Sequence, residues 1–319
     1  MMTEDNPDNT KLINIPIEIS KNKYKLLIYI NNLKLNNKGL KSELSGLSYM
    51  DNNRDENNRQ GLMIVPIPNN SGCDNFGLLN INDNNNKEFT KSLIKECDKV
   101  NPYKSNISLG VNFSKNNSGS LIDVHDIGNY KISVASNIDE LFNNIDWDKF
   151  KLPDDFESRK NTLFNTSLYK GNYAYVVAQA VKSVKDDGFG IAFPDPDYDY
   201  FPTAHEGSGL VDFDVECYNC FSSYLNNSQF HNTFTLKDEK IVKEVFSKLT
   251  LYLKMSKTHK LINYNVLYNN YDINVIKIKG QYGNHNLVYS NKYDDIDDKV
   301  SNNSEDNIMT RIGKVLNLI

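Results

Sequence analysis

Residues 201–220, FPTAHEGSGLVDFDVECYNC, gather side chains that bind metal ions or transfer protons. From 211 to 217, apolar and acidic residues alternate with the period of two that predicts a β-strand. The acids of this strand form a row on one face, about 7 Å apart, and such rows bind Mg²⁺ or Mn²⁺. The candidate metal ligands are His205, Asp212, Asp214 and Glu216, and the candidate catalytic residues are His205, Glu206 and Asp214. The alternative is a solvated strand face whose acids pair with lysines on a neighbouring strand.

Cys217 and Cys220 form a single C-x-x-C, which is half of a structural zinc site. In the predicted strand, Cys217 points into the core together with the apolar residues. Cys220 lies three residues further on and points to the opposite face. Because thiols on opposite faces cannot bind one metal ion, the pattern predicts a buried structural Cys217 rather than a zinc site.

The segment 193–202, FPDPDYDYFP, alternates acidic and aromatic residues between prolines. Aromatic residues on rigid loops are effective contact residues, so the candidates for a binding loop are Tyr198, Tyr200 and Phe201. An ordinary loop held by its prolines is the alternative. His125 stands between acids in LIDVHDIG. It is either a base oriented by a carboxylate or, more commonly, a strand-edge or turn histidine.

Composition and missing motifs disfavour several classes of function. A net charge of −5 is small for 319 residues, so we expect no nucleic-acid partner. The sequence contains no phosphate-loop, dinucleotide-binding, zinc-protease or kinase motif. We therefore expect no cofactor, with a divalent metal ion as the alternative. No apolar run has the length of a membrane span and the polar start MMTEDNPDNTK lacks a targeting segment, so we expect a cytoplasmic protein without a membrane partner.

Short apolar runs with β-forming residues predict strands at 23–30, 61–68, 171–181, 188–193, 271–280 and 285–290. The turn KSVKDD predicts that 171–181 pairs with 188–193, and QYGN predicts a hairpin between the last two strands. Helical periodicity predicts helices at 87–97 and 138–145, the second with a cap at Ser136 and Asp139. The longest predicted helix covers about 236–256, with Thr235 and Asp238 at its start.

These elements predict an α+β fold, mainly antiparallel sheet packed with a few helices, one of them long. We expect a polar tail at 1–10 and a single globular domain at 11–293. Within that domain, Asn-rich loops are predicted at 51–60 and 82–88. An acidic segment with a short C-terminal helix is predicted at 294–319.

A set of short motifs resembles a protein family of unknown function. They are MIVPIP near the start, then GFGIAF, FPTAHEG and DFDVECYN, and the matching positions are Pro202, Thr203, His205, Phe213, Asp214 and Tyr218. Members of that family carry further histidines where this chain has Gly207 and Val215, so the resemblance implies no paired-histidine metal site here. The 48 Asn residues resemble the composition of proteins from AT-rich genomes, such as those of dictyostelid amoebae and amoebal giant viruses.

Two functional hypotheses follow from these patterns. The first is a non-enzymatic binding or structural protein with a protein partner or self-association, acting in the cytoplasm or, if the genome is viral, in the host cytoplasm or virion. The second is a divalent-metal-dependent hydrolase that uses the His/Asp/Glu cluster at 205–216.

Overall fold

The computed structural model describes residues 8–33, 62–102, 122–152, 156, 172–182, 184–203, 210–222, 233–283 and 286–289. The predicted loop at 51–60 and the segment 294–319 lie outside these residues, as does most of the predicted tail at 1–10. The α-helices of the described chain are α1 (Asn84–Val100), α2 (Ile138–Asn143) and α3 (Glu239–Phe246). A single 3-10 turn, Trp147–Lys149, follows α2.

The strands of the described chain form two main sheets and one two-stranded sheet. In chain order they are β1 (Asp8–Ile19), β2 (Asn22–Leu33), β3 (Leu62–Pro68), β4 (Gly77–Leu79), β5 (His125–Ile127), β6 (Tyr130–Ala135), β7 (Tyr173–Ala180), β8 (Val184–Pro194), β9 (Asp199–Phe201), β10 (Leu210–Cys220), β11 (Thr233–Leu236), β12 (Tyr252–Met255), β13 (Leu261–Asn263), β14 (Asn265–Val266), β15 (Ile273–Gly283) and β16 (Leu287–Tyr289). The ten-stranded sheet has the order β11-β15-β10-β1-β2-β8-β4-β12-β13, with β14 paired to β1. The four-stranded sheet has the order β3-β7-β6-β5, and β9 pairs with β16. Strand β1 pairs with β10 in parallel, and the other strand pairs of the described chain are antiparallel.

Three apolar cores separate the layers of the fold. The inter-sheet core lies between the two main sheets and includes Val176 and Phe189. The helix-side core lies on the other face of the ten-stranded sheet, against α1 and α3, and includes Phe89 and Phe246. The outer core covers the far face of the four-stranded sheet and includes Leu141 of α2. The protein is therefore a sandwich of two sheets with helices packed on both outer faces.

The apolar run in β2 shows why these strands were recognisable in the sequence. Leu26, Ile28 and Ile30 contribute to the helix-side core. Leu27 and Tyr29 alternate with them and contribute to the inter-sheet core. A strand that is buried on both faces has no polar face, so it reads as a continuous apolar run.

Helix α1 confirms the predicted helix at 87–97 and extends it at both ends. The prediction of a loop at 82–88 is wrong, because the helix already begins at Asn84. Asp83 caps this start, since its carboxylate accepts a hydrogen bond from the backbone N–H of Asn86 at 3.0 Å. In α2 the cap is Asn137 rather than Ser136, and its side chain accepts from the backbone N–H of Glu140 at 2.9 Å.

The long helix predicted at 236–256 is not formed. Asp238 caps the start of α3, but that helix ends at Phe246 and the chain continues into β12. The backbone N–H and the hydroxyl of Thr250 both donate to the side-chain oxygen of Asn86 in α1, at 3.0 and 2.5 Å. The residues that follow alternate between buried and more exposed side chains, with Leu253 fully buried. These tertiary contacts replace the last turns of the predicted helix with a strand.

Both predicted hairpins are also wrong. Strand β7 belongs to the four-stranded sheet, whereas β8 belongs to the ten-stranded sheet. Strand β16 pairs with β9 and not with β15. Each short polar connection therefore passes the chain from one sheet to another. The class prediction holds at the coarse level, because the described chain is mostly antiparallel sheet with a few helices.

Candidate functional site

The acidic row on β10 lies beside lysines of the neighbouring strand β15. The register places Asp214 opposite Lys279 and Glu216 opposite Lys277. One carboxylate oxygen of Glu216 lies 2.6 Å from Lys277 Nζ, and the other accepts from the hydroxyl of Tyr218 at 2.6 Å. Burial opposes ionisation of Glu216, but these two hydrogen bonds and the positive charges of Lys11 and Lys277 together lower the pKa of its carboxyl group. The strand face therefore carries a cross-strand ion pair between Glu216 and Lys277.

Only part of the candidate ligand set lies within the residues that the structure describes. Asp212 occupies the β10 position paired with Gln281, and Asp214 is exposed. His205 and Glu206 lie outside the residues that the structure describes. Within the described ranges, no group of three or more His, Cys, Asp or Glu side chains is arranged to hold a metal ion.

The two cysteines of the C-x-x-C motif lie on opposite faces of the sheet, as the period-two pattern predicts. Cys217 is fully buried in the inter-sheet core, and Cys220 is fully buried in the helix-side core. Burial raises the pKa of both thiols far above the usual range. The prediction of a structural Cys217 is confirmed, and the pair cannot bind one metal ion between them.

The aromatic residues of the candidate binding loop are largely inside the protein. Tyr200 and Phe201 belong to β9, where both side chains are buried, and Tyr198 is half-buried. The Tyr200 hydroxyl donates to the backbone oxygen of Pro66 at 3.1 Å. The expectation that Tyr200 and Phe201 form a surface contact is therefore wrong, because Phe201 packs in the inter-sheet core and the ring of Tyr200 lies against Tyr173.

Asp199, which lies between Tyr198 and Tyr200 in the sequence, forms a buried ion pair with Lys25. Asp199 is completely buried, and one of its oxygens lies 2.7 Å from Lys25 Nζ. The same carboxylate accepts hydrogen bonds from the side chains of Asn14, Asn219 and Ser222. The acid thus joins β1, β2 and β10 to the β9 segment, and its role is structural.

A different surface presents unpaired backbone at the end of the ten-stranded sheet. Strand β13 pairs with β12, and the sheet path ends there. Met255 N–H donates to Lys260 O at 2.9 Å, and Tyr264 N–H donates to Leu251 O at 3.0 Å. Because antiparallel ladders alternate, the N–H and C=O groups of Leu261 and Asn263 point away from β12. They form an open edge in the part of the chain that the structure describes.

Apolar side chains collect at this open edge. Leu261 is 67% exposed, Leu251 is 47% exposed and Tyr252 is 45% exposed, which makes them three of the most exposed large apolar residues of the described chain. Tyr252, Lys254, Leu261 and Asn263 share one face of the β12–β13 pair, because Lys254 is directly opposite Leu261 and Tyr252 is opposite Asn263. We call these four residues together with Leu251 the β13 edge.

The surroundings of the β13 edge are basic. Residues 248–263 contain four lysines and one histidine but no Asp or Glu. Lys257 lies 2.9 Å from the carboxylate of Asp74, and His259 lies 2.8 Å from that of Asp123. Lys254 and Lys260 have no ion pair with a described residue. The edge thus combines open backbone, exposed apolar side chains and unneutralised positive charge.

Comparisons with known proteins place this geometry in no established family. No family model matches the chain, and no curated protein matches it at a significant level. A crystal structure of a mutated baculovirus P35 after caspase cleavage is similar over 90% of this chain and 99% of that chain. The identity is 14% and the TM-score is 0.45, so this likeness carries no argument about function.

The structure adds a histidine pair that the sequence did not reveal. The rings of His125 and His259 lie 5.1 Å apart between their centroids. His125 is buried in β5, and its burial together with the nearby Lys254 lowers its pKa to about 4. The pair connects the edge of the four-stranded sheet with the β12–β13 turn, so His125 is a buried strand histidine.

The β13 edge itself was obscured by overlapping patterns. Leu249, Tyr252 and Leu253 fit the helical stripe that predicted a helix to 256. Leu251, Leu253 and Met255 alternate with more polar positions and fit a strand equally well. The basic turn SKTHK that follows is the signal that favours a hairpin. No helix in the described part of the chain has the length and apolar character needed to span a membrane.

Proposed function

We propose that this protein acts by binding another protein, without catalysis or a cofactor, and that the β13 edge is its contact surface. The observation that carries the proposal is the exposure of Leu261 on an open strand. Its side chain is 67% exposed, and it lies on a strand whose outer backbone groups pair with no described strand. An exposed apolar residue on an open sheet edge is a hazard for a protein that has no partner, since it invites non-specific pairing.

The contacts of the acidic row support binding over hydrolysis. Both oxygens of Glu216 already have partners, Lys277 and Tyr218, so a metal ion would have to displace them. Asp199 and Asp187, which are among the buried acids, likewise accept hydrogen bonds from their protein neighbours. These carboxylates stabilise the sandwich, and the surface features that remain are those of an interaction protein.

The experiment places a photoreactive amino acid at Leu261 in the full chain and identifies the protein that becomes crosslinked in cells. A matched variant carries the same group at Lys240, an exposed position on α3. The proposal expects a protein crosslinked from position 261 and not from 240. That protein, once purified, should bind the wild type and the Lys240→Glu variant but not Leu261→Glu. Equal binding by all three would refute the assignment of the surface.

The proposal includes a cytoplasmic site of action, in a host cell or virion if the gene is viral. It rests on the composition of the chain, and fluorescence microscopy of the tagged chain tests it. Self-association is the other form of partner. Sedimentation equilibrium separates the two, because a homo-oligomer would show a concentration-dependent mass that Leu261→Glu abolishes.

A further inference from the structure

We infer that the partner contributes an extended acidic segment, which adds to β13 as a further strand of the sheet. The inference deepens the proposed function and rests on it. Leu261 and Asn263 each direct one N–H and one C=O group away from β12. Four such groups in this spacing are satisfied together by the backbone of one extended segment, and this mode of binding is β-strand addition.

The side chains around Leu261 define the preferred sequence of the added strand. A residue paired with Leu261 lies on the same face and covers its exposed side chain, so an apolar residue fits there. Lys254 stands on that face directly beyond Leu261, and Lys260 precedes Leu261 on the strand. Both cations are without an ion pair in the described chain. Acidic residues that flank the apolar one point to the opposite face of the sheet, where they would complement Lys260.

The charge of the edge also distinguishes between occupants. A second copy of this chain paired through β13 would bring Lys254 and Lys260 of one copy near those of the other, while Lys248 and Lys257 already have acidic partners. Like charges placed opposite each other across a strand pair oppose association. An acidic strand from a different protein would instead be attracted to these lysines. The edge therefore selects a hetero-partner.

The test is a titration of the isotope-labelled full chain with short capped peptides, followed by NMR of the backbone amides. The probe is a hexapeptide of alternating aspartate and valine. One control alternates lysine and valine, and a second replaces the central valine of the probe by proline, which cannot donate to a ladder. We expect the probe to shift and protect the amides of Leu261 and Asn263, and the controls to leave them unchanged. Binding should weaken about threefold or more at high salt, because Lys260 is exposed.

Two variants at Leu261 separate strand addition from simple apolar contact. Leu261→Pro removes an N–H that faces outward, so the ladder to β12 keeps its hydrogen bonds. Leu261→Glu keeps the outward N–H but adds a negative charge at a largely exposed position. Both should lose the peptide-induced shifts, whereas Lys240→Glu on α3, outside the β13 edge, should retain them. Amide shifts outside β13 that stay native in the free variants show that each one is folded.

Several outcomes overturn the inference. Equal shifts with the aspartate and lysine peptides would refute the acidic chemistry, and binding that survives Leu261→Pro would refute strand addition. Absence of binding by any peptide would refute both. Protection in the peptide-free full chain that disappears when the four aspartates at 294–298 are changed to asparagine would identify the chain itself as the occupant. If the crosslinking partner is found at position 261 while the probe fails, the proposed function stands and this inference falls.

Discussion

Removing either partner of the buried pair Lys25–Asp199 should produce a large loss of stability. The two side chains are 7% and 0% exposed, and their charged atoms are 2.7 Å apart. Lys25→Met takes away the only cation in contact with the carboxylate among the described residues and leaves it with neutral donors. Breaking a buried ion pair from one side costs about 3–5 kcal/mol, because the remaining charge stays buried. We expect a loss in this range.

The reverse variant should cost less than Lys25→Met. Asp199→Asn leaves Lys25 with Asp195, whose carboxylate oxygen is 3.9 Å from Nζ. Burial raises the pKa of Asp195, against the opposing effect of Lys25, so it is a weaker replacement for Asp199. In the double variant Lys25→Met/Asp199→Asn the two losses should not add, since no buried charge is left behind.

Urea unfolding followed by circular dichroism measures these free energies. The matched control is Lys99→Met, which breaks an ion pair with Glu96 at the same distance of 2.7 Å, but with a lysine side chain that is 58% exposed. That variant should lose less than about 1 kcal/mol. Equal losses for Lys25→Met and Lys99→Met would refute the argument that burial determines the effect. Additive losses in the double variant would refute the assigned contact.

Three further predictions follow from the structure. The lowered pKa of His125 means that the unfolded chain binds a proton more readily, so stability should be complete above about pH 6.5 and fall by up to about 3 kcal/mol toward pH 4. His125→Gln should abolish that pH dependence in urea unfolding, and an unchanged profile would contradict it. A Cβ on Gly188 would lie 1.6 Å from a backbone oxygen, whereas on Gly190 it meets only side chains, so Gly188→Ala should lower the melting temperature far more than Gly190→Ala. Thiol labelling of the native protein should modify the half-buried Cys73 and spare the other three cysteines, and rapid labelling of Cys217 without unfolding would contradict its burial.

Much of the local structure could be predicted from the residues alone. Three such patterns are the apolar run in β2, the alternation in β10 and the helical stripe in α1. In each one, the spacing of apolar residues along the chain indicates which face of the element is buried. The opposite orientations of Cys217 and Cys220 followed from counting residues along a strand. For the same reason, the period of two identified the acidic face that meets the lysines of β15.

Strand partners could not be predicted in this way. A strand with two buried faces carries the same apolar pattern whichever sheet it enters, so nothing local showed that β7 and β8 separate or that β16 pairs with β9. The end of α3 also depends on a contact between residues far apart in the chain. The backbone N–H of Thr250 donates a hydrogen bond to the side chain of Asn86 in α1, and the chain does not continue as a helix there.

For the β13 edge, too, the sequence determined some features and long-range contacts determined the others. The sequence by itself determined that residues 248–263 are basic and contain apolar residues. It left open whether Leu261 and Lys254 face a partner or the core of the protein. Only the tertiary structure decided that β13 ends a sheet, because an edge is defined by the strands that do not pair with it, and those contacts form between residues far apart in the chain.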